Sequence, residues 1–353
     1  IIIILIKEIM ITLIIYMLII RKDIMDNTIL KQLLTEYDSK RMHALEDLEN
    51  RKKTLRESSS EYVQLEKNLQ SLSLDSLKSM LSLSPEEKEK KLKLLQEKTD
   101  KITNEKAMLL KKLNLPQDYL LPHFDCSLCK DTGYLNNSLC SCIKQKLYDI
   151  EYNKSNIGNI RTENFENFNF DIYSDEPNPS LYHSQFSPRE NIKKIYDISQ
   201  KFVKNFDSPD EKNLMFLGPT GLGKTFLSNC IAKEILDSGK TVLYQTAPVM
   251  LDTIIKSKFE KNSSAILDNI LNVDLLIIDD LGTETMNSMK FTELFTIINT
   301  RLLNQSAKIT KTIISTNLDL KDIFTVYNER IGSRIVGDYN ICRFFGDDLR
   351  LKK

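Results

Sequence analysis

The sequence has no tryptophan, little glycine and proline (10 and 9 in 353 residues) and no net charge, its 49 basic residues being matched by 49 acidic ones. The charge balance excludes a global positive field that would draw the whole chain onto nucleic acid or anionic lipid, so any such binding must use a local patch. Its 6 cysteines are too few for a secreted disulfide scaffold of this length. The length leaves room for two or three domains, at least one able to bury a core. Glycine is absent from residues 25–113, and that stretch is charged and helix-favouring.

Residues 1–24 stand apart. The opening run IIIILIKEIMITLIIYMLII has the length and apolarity of a membrane span. Lys7 and Glu8 interrupt it, and Ile1 is not an initiating methionine. Met25 opens the first stretch of ordinary composition. Isoleucine excess is what AT-rich non-coding sequence yields when it is read through. The expectation is therefore that 1–24 are not part of the natural mature protein, with a true membrane anchor as the rival.

Residues 25–115 read as a helical arm. Leu48, Leu55, Tyr62 and Leu69 recur every seven residues, Leu65 and Leu72 add a second position, and Leu95, Ile102 and Leu109 repeat the spacing. SPEE (Ser84–Glu87) has the serine cap, first-turn proline and following glutamate of a helix start, and NLPQ (Asn114–Gln117) supplies a stop. The pattern predicts two or three long helices in an antiparallel hairpin or bundle. Spacing does not choose between a coiled-coil spacer and a partner-binding arm.

Residues 116–150 hold Cys126, Cys129, Cys140 and Cys142, four thiolates that can close a tetrahedral Zn2+ site. Gly133 permits the tight turn after the C-x-x-C pair, and the ten residues between Cys129 and Cys140 suit a short hairpin with a polar tip. Cys140 and Cys142 face the same way if that piece is extended. His123 is a substitute ligand. An iron–sulfur cluster and a redox pair are the alternatives, the latter without the βαβ surroundings such a pair needs. Cys230 and Cys342 fall in apolar core elements.

Residues 151–188 form a polar, asparagine-rich connector with alternating phenylalanines in ENFENFNF (Glu163–Phe170). Helical period returns over Arg189–Phe206, with Ile192, Ile195, Tyr196, Ile198 and Phe202 on one side. From Asn213 short apolar runs (LMFLG, TVLYQT, LLIIDD, KTIISTN, NICRFFG) alternate with helical stretches. That alternation predicts an α/β fold with a parallel sheet and crossover helices over 189–353.

GPTGLGKT (Gly218, Pro219, Thr220, Gly221, Leu222, Gly223, Lys224 and Thr225) matches G-x-x-x-x-G-K-[ST], with an apolar strand before it and a helical run after it. Such a loop turns many backbone N–H groups into one concavity for phosphates, and the helix adds its positive end. Lys224 is placed to reach the β- and γ-phosphates and Thr225 to bind Mg2+. LLIIDDLG puts two carboxylates at the end of a buried strand. Asp279 is the expected Mg2+ holder and Asp280 the group that polarises attacking water, with Glu284 a weaker candidate base. Asn317 ends the TIISTN strand, where an amide can orient that water. Arg330 and Arg334 share a helical face and could reach a neighbouring subunit's nucleotide.

The order GPTGLGKT, LLIIDDLGTE, TIISTN, ERIGSR resembles the bacterial replicative-helicase loaders of the DnaC/DnaI type, a branch of the AAA+ ATPases, over roughly 160–353. The helical front and cysteine cluster resemble the Gram-positive type, which carries a zinc-binding, helicase-docking domain. The resemblance implies a P-loop AAA+ core using ATP and Mg2+, with Asn317 as first sensor, Arg334 as arginine finger and Arg350 as second sensor. It further implies three partners: the replicative hexameric DNA helicase, single-stranded DNA and further copies of the chain through the AAA+ domain. The setting it implies is the cytoplasm, not a membrane. Two departures stand out: C-x-C replaces the commoner C-x-x-C in the second cysteine pair, and Asp280 stands where many such ATPases have glutamate. The rivals are an IstB-like transposition helper ATPase, a nucleotide-dependent adaptor with little turnover, and a membrane-tethered regulatory ATPase using residues 1–20.

Overall fold

The computed structural model describes residues 27–80, 85–151, 162–259, 263–303 and 308–351. The leader 1–24, the expected cap Ser84 and part of the connector 151–188 lie outside the described residues. The chain divides into two compact units, one over Lys31–Ser138 and the other over Leu139–Lys353 together with the stretch up to Leu30.

In the first unit, helices α1 (Asn27–Ser58), α2 (Ser60–Met80) and α3 (Pro85–Lys112) follow one another. Helical hydrogen bonding runs on through Ser59: its amide donates to Leu55 O at 2.9 Å and its carbonyl accepts from Val63 N at 3.2 Å. The antiparallel return is visible at the termini. Lys112, at the end of α3, pairs with Glu61 in the first turn of α2 at 3.1 Å, and Lys106 sits over the Tyr62 ring. Leu55, Tyr62, Leu65, Ile102, Leu109 and Leu110 form the core between them, with Leu69 and Leu72 packed alongside. The period-seven residues are thus the seam of a helical hairpin. At the NLPQ stop, Asn114 turns left-handed (φ 55°) and Leu115 N–H reaches back to Leu110 O at 2.9 Å, satisfying a carbonyl the helix would otherwise leave open.

The second unit begins with α4 (Ser141–Glu151), α5 (Pro179–Tyr182) and α6 (Pro188–Lys204). Strands β3 (Asn213–Leu217), β4 (Val242–Thr246), β5 (Leu275–Leu281), β6 (Lys311–Thr316) and β7 (Tyr339–Arg343) then form a parallel sheet in the order β4-β5-β6-β3-β7; the pair β1 (Tyr134–Leu135) and β2 (Ser138–Leu139) belongs to the cysteine segment. The crossovers are α7 (Lys224–Asp237), α8 (Ala247–Lys258) with α9 (Ser263–Asn272), α10 (Ser288–Leu303) and α11 (Leu320–Asp338). Both faces are covered, which is why the strands read as unbroken apolar runs. Leu214 and Phe216 of β3 face one core with Ile231 of α7 and Ile195 of α6; Met215 and Leu217 face the other with Leu251 of α8 and Ile297 of α10.

The connector phenylalanines belong to the first of those cores. Phe165 and Phe168 are buried there, and their rings pack on Tyr196. Helix α6 starts on a full capping box, Ser187 with Glu190, and buries Ile192, Ile195 and Phe202. The edge strand β4 is blunted by a side chain: the Gln145 amide of α4 donates to Val242 O at 2.9 Å and accepts from Val242 N at 2.7 Å. Among the described residues no helix is long and apolar enough to cross a membrane.

Arg301 of α10 is a polar pin through the sheet's lower end. It is buried and donates to the carbonyls of Ile270 (2.9 Å), Val273 (3.0 Å) and Lys311 (2.7 Å) and to Thr312 Oγ1 (2.9 Å). Burial pushes its pKa down to about 10, still fully charged at neutral pH. An unsatisfied buried group costs roughly 1–3 kcal/mol, so Arg301→Leu should destabilise the second unit by about 3–5 kcal/mol. Urea unfolding of the full chain, followed through the second unit's transition, reads this directly; an unmoved midpoint would contradict the role assigned to Arg301.

Candidate nucleotide and metal sites

Strand β3 ends at Leu217, and the loop Gly218–Gly223 leads into α7, whose first residue is Lys224. Two glycines are required by geometry. A Cβ on Gly218 (φ 137°) would overlap the Phe344 carbonyl oxygen, and one on Gly223 (φ 88°) would fall 2.5 Å from the Tyr173 hydroxyl. That hydroxyl donates to Leu222 O at 3.1 Å, so the connector braces the loop from outside.

The loop opens on a cavity of about 540 Å3. Thr220, Gly221, Leu222, Gly223, Lys224, Thr225, Asp280, Asn317 and Arg350 line it, and Phe168, Ile172 and Tyr173 form an apolar wall opposite. Gly218 and Pro219 sit behind this lining, where their carbonyls accept from Lys224 Nζ at 2.6 and 2.7 Å. Lys224 also donates to Asn317 Oδ1 at 2.8 Å. Burial lowers its pKa, while the Asp279 and Asp280 carboxylates oppose that shift.

Asp279 is buried at the end of β5 and saturated with donors. Thr225 Oγ1 lies 3.2 Å from its Oδ2, and the Asp280 amide 3.1 Å from its Oδ1. The Tyr244 hydroxyl donates to Oδ2 and the Ser315 hydroxyl to Oδ1. Burial, and then the Asp279 charge, push the Tyr244 pKa far up, so this phenol stays a donor. Asp280 holds a left-handed backbone (φ 53°), unusual for a non-glycine, and lines the cavity. Burial and the neighbouring Asp279 raise its carboxyl pKa, against the pull of Lys224.

Glu284 is committed elsewhere. Its Oε2 accepts from Gly282 N at 3.0 Å and its Oε1 from the Tyr327 hydroxyl, so the weaker candidate base holds the turn after β5 together. Arg350 reaches the cavity and grips Asp348, with contacts between 2.6 and 3.2 Å. Arg330 is exposed and Arg334 half-buried on the part of α11 that follows a kink at Asn328 (φ 58°). Neither lines the cavity of its own chain.

Cys126, Cys129, Cys140 and Cys142 bring their sulfurs within 4.8 Å of one another, the inner two buried. Four thiolates around Zn2+ at ~2.3 Å require sulfur–sulfur distances of about 3.8 Å, which this cluster can meet with small adjustments. The first knuckle is tied by Asp131, whose carboxylate accepts from Asp125 N (2.9 Å) and Cys126 N (2.8 Å). The hairpin tip is Asn136–Asn137, both left-handed (φ 48° and 65°), as a two-residue turn requires. The second pair differs from the extended geometry expected of it. Cys140 leads directly into α4, its carbonyl accepting from Ile143 and Lys144 N–H, and Cys142 lies in the first helical turn. The helical turn, not an extended strand, brings this C-x-C pair to one side. His123 is paired with Asp118 at 3.0 Å and is no member of the cluster. Cys230 and Cys342 are core residues, and burial pushes both thiols up to about 12.

Sequence reasoning missed Tyr173, Tyr244 and Ser315. Tyr244 could have been found from the period of two along TVLYQT, which places it on the same sheet face as Leu214 and Phe216.

A phosphate loop after the parallel strand β3, with the amide ending the adjacent strand β6 and the acidic pair on β5 beyond it, gives this unit the architecture of a P-loop nucleotide-binding domain. Residues 184–352 match the family of IstB-like ATP binding proteins. The replicative helicase loader DnaC of Buchnera aphidicola subsp. Baizongia pistaciae is 29% identical over 168 residues, 46% of this chain and 66% of that protein. The ATP-binding protein of insertion sequence IS232 from Bacillus thuringiensis subsp. berliner is 25% identical over 174 residues, 48% of this chain and 66% of that protein. The chain thus spans just under two thirds of the length of these relatives. A crystal structure of the DnaC helicase loader aligns with 24% identity over 48% of this chain and 96% of that one, at a TM-score of 0.40. Residues 184–352 are thus similar both to IstB-like ATP binding proteins and to DnaC-type loaders.

The cysteine geometry predicts one tightly held Zn2+ per chain. Metal analysis of the purified protein should find it, and Cys129→Ser or Cys140→Ser should lower the content well below half. An unchanged content in either variant would contradict the four-thiolate site.

Proposed function

We propose that the protein is an ATP-dependent loader of the replicative hexameric DNA helicase, of the Gram-positive type, acting on single-stranded DNA in the cytoplasm. The observation that carries the ATPase part is the convergence of Lys224, Thr225, Asp280 and Asn317 at one cavity, with the buried Asp279 bonded to Thr225. On this reading residues 25–115 are the docking arm, 116–150 the zinc-binding module, 151–188 the connector and 189–353 the AAA+ ATPase domain.

Thr225 and Asp279 present adjacent oxygens at a helix start and would hold Mg2+, which supplies charge neutralisation for the phosphates when bound. Lys224 would exchange its contacts to Gly218 and Pro219 for the β- and γ-phosphates. Asp280 would polarise the attacking water, and Asn317, released from Lys224, would orient it. Arg350 would approach the nucleotide from within the chain. Arg334 does not line its own chain's cavity, which suits an arginine finger that completes a neighbour's site when subunits assemble. Turnover would switch assembly and release, while contact with DNA would be electrostatic and local.

The insertion-sequence relative supports a second reading, an IstB-like transposition helper ATPase. The helical hairpin and the cysteine cluster favour the loader, because a helper ATPase has no need of either.

Three measurements test the proposal. Lys224→Ala should lose at least tenfold in ATP affinity, as charge-assisted bonds to phosphate are worth about 1.5–3 kcal/mol. Asp280→Asn should bind ATP normally but hydrolyse it about 10²-fold or more slowly, the scale of a lost general base. Unchanged hydrolysis in Asp280→Asn would move the base elsewhere. Capture of the hexameric helicase by the full chain should be abolished by zinc chelation while ATP binding persists. Capture that survives chelation would contradict docking through the zinc module.

A further inference from the structure

Tyr244 lies inside the apolar core on one face of the sheet, 1% exposed, in register with Ile277 of β5. A phenylalanine would fill that space without burying an oxygen, and a buried hydroxyl is unfavourable unless it is bonded. The parallel register pairs Thr246 of β4 with Asp279 of β5, so Tyr244 starts two residues earlier and its ring runs along the strand toward the carboxylate. There its hydroxyl donates to Oδ2, the oxygen that also accepts from Thr225. From the other side, Ser315 of β6 donates to Oδ1. Strands β4 and β6 flank β5, so the Asp279 carboxylate is clamped from both neighbours.

We propose that Tyr244, with Ser315, is a positioning residue for Mg2+: the two hydroxyls fix the plane of the Asp279 carboxylate so that Oδ2 and the Thr225 hydroxyl meet the cation together. Outer hydrogen-bond partners of this kind set the orientation and basicity of a metal ligand, and losing one typically costs 10- to 100-fold in metal affinity. The inference rests on the nucleotide reading of the cavity. It assigns to Tyr244 an effect on the cation, with none on the nucleotide alone.

The test is a titration of a fluorescent ATP analogue into the full-length protein, in EDTA and across a Mg2+ series. Tyr244→Phe should match the wild type in EDTA and need about tenfold more Mg2+ for the half-maximal gain in nucleotide affinity. Ser315→Ala, which touches the opposite oxygen, should shift the Mg2+ requirement in the same direction. If neither variant moves that requirement, or if Tyr244→Phe weakens nucleotide binding equally with and without Mg2+, the inference is wrong and the hydroxyl serves packing alone. A wild-type protein whose nucleotide binding ignores Mg2+ would overturn the nucleotide reading and this inference with it. A normal wild-type response with an unshifted Tyr244→Phe would overturn only the inference.

Discussion

Burial of the parallel sheet on both faces is the constraint from which the rest of the ATP-binding unit follows. Parallel strands need crossovers, and crossovers need room on both sides, so every strand is apolar along its length and polar only where it ends. All five strands point the same way, and their ends meet at one edge. Chemistry-bearing residues therefore collect there without any being close in sequence: the phosphate loop after β3, the acidic pair at the end of β5, the amide after β6. The same geometry lets β4 and β6 reach inward to the carboxylate of β5.

The two central side chains of the site are held in different ways. Asp279 is locked by donors from three strands and the loop helix, in an environment where every one of those bonds is strengthened by the low dielectric. Lys224 is held by its own loop carbonyls and by Asn317, partners that a phosphate chain can replace with stronger, charge-assisted contacts. The cation side is thus preorganised, and the phosphate side exchanges one set of bonds for another. Lys224 and Asn317 bonded to each other also link the loop to β6.

Much of this was legible from sequence because it depends on short, contiguous patterns. The phosphate loop, the strand ending in Asp279 and Asp280, the seven-residue seam of Leu55, Tyr62, Ile102 and Leu109, and the four clustered cysteines each carry a local signal. What was not legible depends on which residues meet across the fold. Arg301 looks like an ordinary cation near a helix end, yet it is the buried donor for three carbonyls of distant segments. Tyr244 looks like one more strand aromatic. Gln145 has no pattern that marks it as the partner of an edge strand. Glu284 read as a weaker candidate base, yet Tyr327, which lies 43 residues away, occupies it. The second cysteine pair was misjudged for a local reason: C-x-C suits an extended piece, but it equally suits the first turn of a helix that starts at Ser141.

The central claim is that nucleotide binding at Gly218–Thr225 is coupled to placing a helicase on DNA. The most direct measurement is helicase occupancy on closed circular single-stranded DNA, where a ring cannot thread onto a free end. The account predicts that the partner hexamer becomes stably bound to the circles only when this protein and ATP are both present. Equal occupancy with the protein left out, or with ATP left out, would contradict it.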